Sequence, residues 1–235
     1  CAAKLKSPDY EARMSRYMAE NPESVVNPLL HCQHGMNLFD SGLYELAAKE
    51  FDSCDSDLID ASLHPEFAFK RGYCSFTAEE YDQAVYRFNS VLQMPYSVYT
   101  GSSQYFIAYI SYLGNDFTKA EAWFGKTVSD PRFAELSAFY ILECRFMRKD
   151  YRYVVENGTG MFADVPEERQ ERLSRLLSES FLVLGDKTKA LEYFRKETAD
   201  KTSYTRSDYF HAGSVLYGAS DYDGAIENFS KMTDR

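Results

Sequence analysis

The side chains able to do chemistry are few, and their spacing argues against most chemistry. The one cluster of metal-capable groups is His31-Cys32-Gln33-His34. Two histidines three residues apart can share a helix face, but zinc wants three or four ligands, and no carboxylate or third histidine stands at a matching offset. His64 and His211 are isolated in sequence. No metal and no cofactor is expected. Cys1, Cys32, Cys54, Cys74 and Cys144 are odd in number and widely spaced, with no C-x-x-C pair. Cys74 and Cys144 read as reduced packing residues, not as parts of a disulfide framework or metal site. Ser, Cys and His never fall into a nucleophile pattern, and no glycine loop is built to cradle phosphate. The adjacent carboxylates Glu79-Glu80 and Glu167-Glu168 sit at turns and helix starts, where they serve solubility and the helix dipole. Asn157-Gly158-Thr159 matches the glycosylation triplet, a pattern that carries little without a secretory context. The chain is therefore expected not to be an enzyme.

What the chain has in quantity is aromatic surface. Its 235 residues include 19 Tyr and 17 Phe against only 12 Gly and 7 Pro, a balance that favours packed helices over sheet or disorder. A net charge of −10 argues against nucleic acid or an anionic membrane surface as the main partner, because both need a basic face. No apolar run approaches the roughly 18 residues of a membrane span, and no signal-peptide core is present.

The elements that would position these groups repeat. Over residues 68–130, Gly72 falls on Ala108, Ala84 on Ala120, Phe88 on Phe124 and Pro95 on Pro131, each pair 36 residues apart. A period of this size with a small–Ala–Phe–Pro skeleton marks a helix–turn–helix repeat. The same skeleton places Gly35, Ala47 and Phe51 before it, and Ala190, Phe194, Gly213, Ala225 and Phe229 after it. The small residue lets the two helices of a hairpin approach, the Ala lets the second lie on the first, and the Phe fills the space between hairpins. The repeats are expected over residues 24–60, 61–96, 97–130, 131–164, 165–201 and 202–235, after a half repeat over 1–23. The fourth is the weak copy, with Leu142, Val154 and Gly158 at the skeleton positions, and Asn157 to Gly160 is expected to end its second helix early. Ser7 with Pro8 would start the helix over 9–20, and Ser207-Asp208 would cap the sixth repeat. With a half repeat in front and no polar capping helix behind, a fragment of a longer array is expected. Cys1 as an acylated lipoprotein residue is the alternative.

The skeleton resembles the tetratricopeptide repeat over nearly the whole chain. That resemblance implies an all-α, right-handed superhelical solenoid whose first helices line a concave groove. Inward positions then lie three before, one after and four after the small residue. They include Phe69, Tyr73, Tyr105, Tyr109, Phe139 and Phe210, with Phe76, Tyr112 and Tyr217 on the third row. Repeats that clamp a terminal carboxylate carry Lys and Asn at the first two positions, and this chain carries neither. The aromatic strip reads either as a groove for apolar side chains of a partner segment or as packing between adjacent first helices; both readings stand here.

A narrower resemblance rests on E-N-P-E-S at 20–24, M-P-Y-S-V-Y at 94–99 and the run over 207–229. These are similar to the long tetratricopeptide proteins of Bacteroidetes-type bacteria. That likeness implies a non-enzymatic scaffold of the cell envelope or periplasm, binding another protein or peptide, with a membrane-associated whole protein. The cytoplasm is the alternative compartment. A structural spacer and a glycan- or peptidoglycan-binding module are the alternative functions.

Overall fold

A computed structural model describes residues 8–162, 164–198 and 203–232, with the side chains of residues 8, 9 and 11 left aside. The expected helix end over residues 1–6, the Ser7 cap, Cys1 and the final residues 233–235 lie outside the described part. A leading helix, α1 (Pro8–Glu20), precedes α2 (Asn27–Asp40) and α3 (Tyr44–Asp52). Two short 3-10 turns, Ser56–Leu58 and Ala61–Leu63, lead to α4 (His64–Thr77) and α5 (Tyr81–Leu92). Next come α6 (Val98–Leu113), α7 (Phe117–Phe124), α8 (Ala134–Met147) and α9 (Tyr151–Met161). The last are α10 (Glu167–Val183), α11 (Lys187–Thr198), α12 (Arg206–Gly218) and α13 (Tyr222–Ser230). No strand occurs among the described residues. The class is all-α, built from stacked helix hairpins. The chain forms two compact units, Cys1–Ile110 and Ser111–Arg235, and the division falls inside α6.

Every hairpin turns by one device. A residue at positive φ follows the first helix: Gly42, Glu79, Asn115, Lys149, Gly185 and Ser220 in order. The next residue's N–H then reaches back to a carbonyl five residues earlier, from Leu43 to Leu38 and from Glu80 to Ser75. The same bond joins Asp116 to Ser111, Asp150 to Arg145, Asp186 to Phe181 and Asp221 to Leu216, each at 2.9 Å. This is the Schellman closure of a helix C-terminus. In the last four hairpins the residue that closes one helix also caps the next. Asp116, Asp150, Asp186 and Asp221 accept from the N–H groups of Lys119, Tyr153, Lys189 and Gly224. One aspartate thus satisfies orphan groups of two helices, which explains turns only a few residues long.

The small residue of the skeleton is a steric requirement. A Cβ on Gly35 would stand 2.6 Å from the Phe51 ring, on Gly72 2.8 Å from Phe88, and on Gly213 2.5 Å from Phe229. Ala47, Ala84, Ala120, Ala190 and Ala225 are buried, as are Phe51, Phe88, Phe124 and Phe194. Ala108 is buried as well.

Three expectations are corrected. First, α9 runs unbroken through Asn157 to Gly160. Gly158 is buried there because the fourth hairpin inverts the usual sizes: bulky Leu142 on the first helix meets Gly158 on the second, where the first, second and sixth hairpins set Gly against Phe. A Cβ on Gly158 would lie 3.1 Å from both Leu142 and Leu177. Tertiary packing overrides the weak helix propensity of glycine. Second, the sixth repeat is capped by Thr205, whose hydroxyl and the Asp208 carboxylate form a reciprocal capping box. Third, Cys32 and Cys54 are joined in a disulfide, their Cα atoms 5.0 Å apart, which ties α2 to the segment after α3. Their separation of 22 residues hid a pairing that only the hairpin fold creates. Cys74 and Cys144 are free and buried.

Candidate functional site

The strip aromatics of the first unit fall on one stripe of their first helices. On α4, Phe69, Tyr73 and Phe76 stand at i, i+4 and i+7, the spacing of a single helix face. Phe39, Tyr44 and Tyr73 form a triangle of edge-on contacts at 5.1 to 5.5 Å. Phe69 touches the rings of Phe88, Tyr99 and Phe106, and Phe106 stacks on Phe88 at 5.5 Å. Phe69 and Tyr73 are therefore packed between successive hairpins and only half-exposed. Burial raises the Tyr73 phenol above its ordinary pKa, with the neighbouring Tyr44 adding to it. Below this layer Lys70 is buried and bridges Asp40 at 2.6 Å and Glu66 at 2.8 Å, locking α2 to α4. Burial first, and then Glu66, push the Tyr99 phenol up to about 12.

Tyr105 and Tyr109 stand one turn apart on α6, and Tyr109 packs on Phe76 of the preceding hairpin with ring centroids 6.0 Å apart. The Tyr105 and Tyr109 rings are 5° from parallel with centroids 6.4 Å apart, and both side chains are half-buried. Tyr105 also meets Phe106 edge-on at 5.7 Å, which links this pair to the packed layer. The other two members of the expected strip lie in the second unit and do not resemble these. Phe139 is buried in the core with Leu142, Leu173 and Leu177, so it offers no surface to a partner; the inverted fourth hairpin draws it inward. Phe210 is 57% exposed on α12.

Polar groups that the sequence did not single out replace aromatics in the second unit. Glu143 sits at the slot of Tyr73 and Tyr109, and its side chain is 2% exposed. Arg172 pairs with it, Tyr112 donates to it at 2.9 Å, and Arg172 donates to the Tyr112 oxygen at 2.8 Å. Burial raises the Glu143 carboxyl pKa against the pull of Arg172. On the next hairpin Arg175 spans Glu179 and Asp208 at 3.1 and 2.6 Å, while buried His211 faces buried Glu197 at 2.9 Å. The only sequence signal was a charged residue at a position that is Tyr in the two preceding repeats.

The His31–His34 pair also gains what spacing alone denied it. Glu50 of α3 faces both rings, at 2.6 Å from His31 and 3.3 Å from His34. Among the described residues no set of three His, Cys, Asp or Glu side chains is arranged to hold a metal ion. No described helix is long and apolar enough to cross a membrane.

No family model and no curated protein matches the chain. Solved structures do. A tetratricopeptide repeat protein from Parabacteroides merdae ATCC 43184 is similar over 95% of this chain and 84% of its own, with 15% identity and a TM-score of 0.57. YrrB, described as a tetratricopeptide protein with an unusual peptide-binding site, is similar over 91% and 96%, with 13% identity and a TM-score of 0.58. The apo form of RapI is similar over 97% of this chain and 70% of its own, with 17% identity and a TM-score of 0.64. At such identities the likeness is one of fold. Repeat skeleton, hairpin turns and structural neighbours agree that the chain has the tetratricopeptide-repeat fold.

Proposed function

We propose that the chain is a non-enzymatic protein-interaction scaffold that holds a partner segment against the first-helix face of its first unit. The observation that carries the reading is the Tyr105–Tyr109 pair: two parallel, half-exposed rings on one helix, each an apolar plate with a hydroxyl at its edge. Phe69 and Tyr73 both contact Phe106, which in turn meets Tyr105. Phe210 would offer a separate contact within the second unit, and Phe139 takes no part. The peptide-binding site of YrrB, a protein of the same fold, supports peptide binding as the mode. The Cys32–Cys54 disulfide supports an oxidising compartment, and with it the bacterial cell envelope or periplasm.

The test compares wild type with a Tyr105→Ala/Tyr109→Ala variant in cross-linked pull-downs from the native cell, after circular dichroism shows equal helix content. A partner recovered by wild type and lost by the variant is the expected result. Identical recovery from both would sink the aromatic site. It would favour the spacer reading, which the packed state of Phe69 and Tyr73 already recommends.

A further inference from the structure

A cleft of about 700 Å³ lies between α3 and α5, floored by α4. It opens on the stripe of α4 that carries Arg71, Ser75 and Ala78, opposite the Phe69–Tyr73–Phe76 stripe, and shares no residue with the aromatic site. We infer that this cleft is a second binding site, in which Arg71 and Arg87 receive a carboxylate of an acidic peptide segment.

The charges in the cleft single out Arg87. Lys49 is held by Glu45 at 2.8 Å, and Arg71 by Asp52 at 3.1 Å. Among the described residues the Arg87 guanidinium has no hydrogen-bond or ion-pair partner, although the side chain is half-buried. Half-burying a cation beside a second cation is unfavourable unless an anion completes the set. Burial, and then the charge of Arg71, hold the Arg87 pKa below its ordinary value against the opposing charges of Asp52 and Glu80, so the two arginines do share one field. The guanidinium fork suits a planar carboxylate, which it can grip with two parallel N–H bonds. A single carboxylate fits better than phosphate. Glu45 is taken by Lys49 and Asp52 by Arg71, so of the three cations Arg87 alone has no contacting carboxylate; Glu80 acts on it only at longer range, which leaves too little field for a dianion. The apolar part of the wall, Ala48, Cys74 and Ala78, gives the rest of a peptide something to lie on. The pair is also particular to this hairpin. One repeat later Ile107 and Trp123 stand where Arg71 and Arg87 stand, so the arginines serve no repeat-wide packing role.

The test is fluorescence anisotropy with a labelled, end-blocked penta-glutamate peptide beside its penta-glutamine counterpart. Because the chain carries a net charge of −10, non-specific attraction works against the acidic probe. We expect the glutamate peptide to bind, the glutamine peptide to bind at least about tenfold more weakly, and Arg87→Gln to weaken the glutamate peptide about tenfold. Arg87→Lys keeps the charge but loses the fork, and should fall between; it also keeps the test open should Arg87→Gln unfold. The Tyr105→Ala/Tyr109→Ala variant should bind the probe as wild type does, which separates this site from the aromatic one. Equal binding of the two peptides, no binding of either, or an unchanged Arg87→Gln would overturn the inference. So would binding of inorganic phosphate, read by calorimetry, without any binding of the peptide, which would assign the cleft to a free anion.

Discussion

A methyl group on Gly72 would stand 2.8 Å from the Phe88 ring, and that ring is fully buried with nowhere to retreat. Gly72→Ala should therefore cost about 1–3 kcal/mol, as overpacking does, measured by urea denaturation at unchanged slope. A cost below a few tenths would show that the hairpin opens without strain. Glu143 gives a prediction of a different kind. Its carboxyl pKa is raised in the folded state, chiefly by burial, so folding holds a proton there that the unfolded chain releases more readily. Its contribution to stability is then fully present below the unfolded carboxyl pKa and is lost as pH rises through the folded one. Glu143→Gln should flatten that fall in a pH series of melting temperatures. A curve parallel to wild type would place the titration elsewhere. The partner left behind, Arg172, is 61% exposed and tolerates the loss.

At the scale of the element, the six hairpins differ in how well they meet one shared demand. Each needs a left-handed residue followed by a cap, and Asn115-Asp116 supplies both. Lys149 supplies neither glycine nor asparagine at φ 64°. Lys149→Gly should raise stability by about 1 kcal/mol by removing the Cβ clash of that conformation. Leu43 stands at the cap of α3 with no side-chain bond, where its counterparts in the last four hairpins are aspartates. Leu43→Asp should add about 1 kcal/mol. Chemical denaturation reads both, and no gain from either would mean that the turns are held by packing rather than by caps. These turns were legible only in part. Gly42 and Gly185 announce themselves, but Glu79, Lys149 and Ser220 are poor left-handed residues that the surrounding helices force into place.

At the scale of the molecule, the disulfide lies in the first of two compact units. Closing a loop of 22 residues should contribute about 3 kcal/mol by restricting the unfolded chain. Calorimetry with and without reductant should show two transitions, as repeat arrays whose cooperativity breaks down do, with reduction lowering only the one that belongs to residues 1–110. A single transition that moves as a whole would mean the units unfold together. A melt unaffected by reductant would leave the Cys32–Cys54 bond without a stabilising role.

The sequence by itself determined the class, the period and the residues at which helices cross, because a glycine facing a phenylalanine and an alanine one turn away satisfy a packing rule that needs no knowledge of the rest of the chain. Only the tertiary structure decided what depends on neighbours distant in sequence. It paired Cys32 with Cys54 and placed Glu50 between two histidines. In the fourth hairpin it set Leu142 against Gly158, so that Phe139, at a position that reads as groove, lies in the core. It set Tyr105 and Tyr109 parallel on one helix and drew Phe69 and Tyr73 into ring contacts with Phe106, although the four share one pattern. It also put Arg87 and Arg71 in one cleft. Periodicity reports which face a residue occupies, and only packing reports what lies against that face.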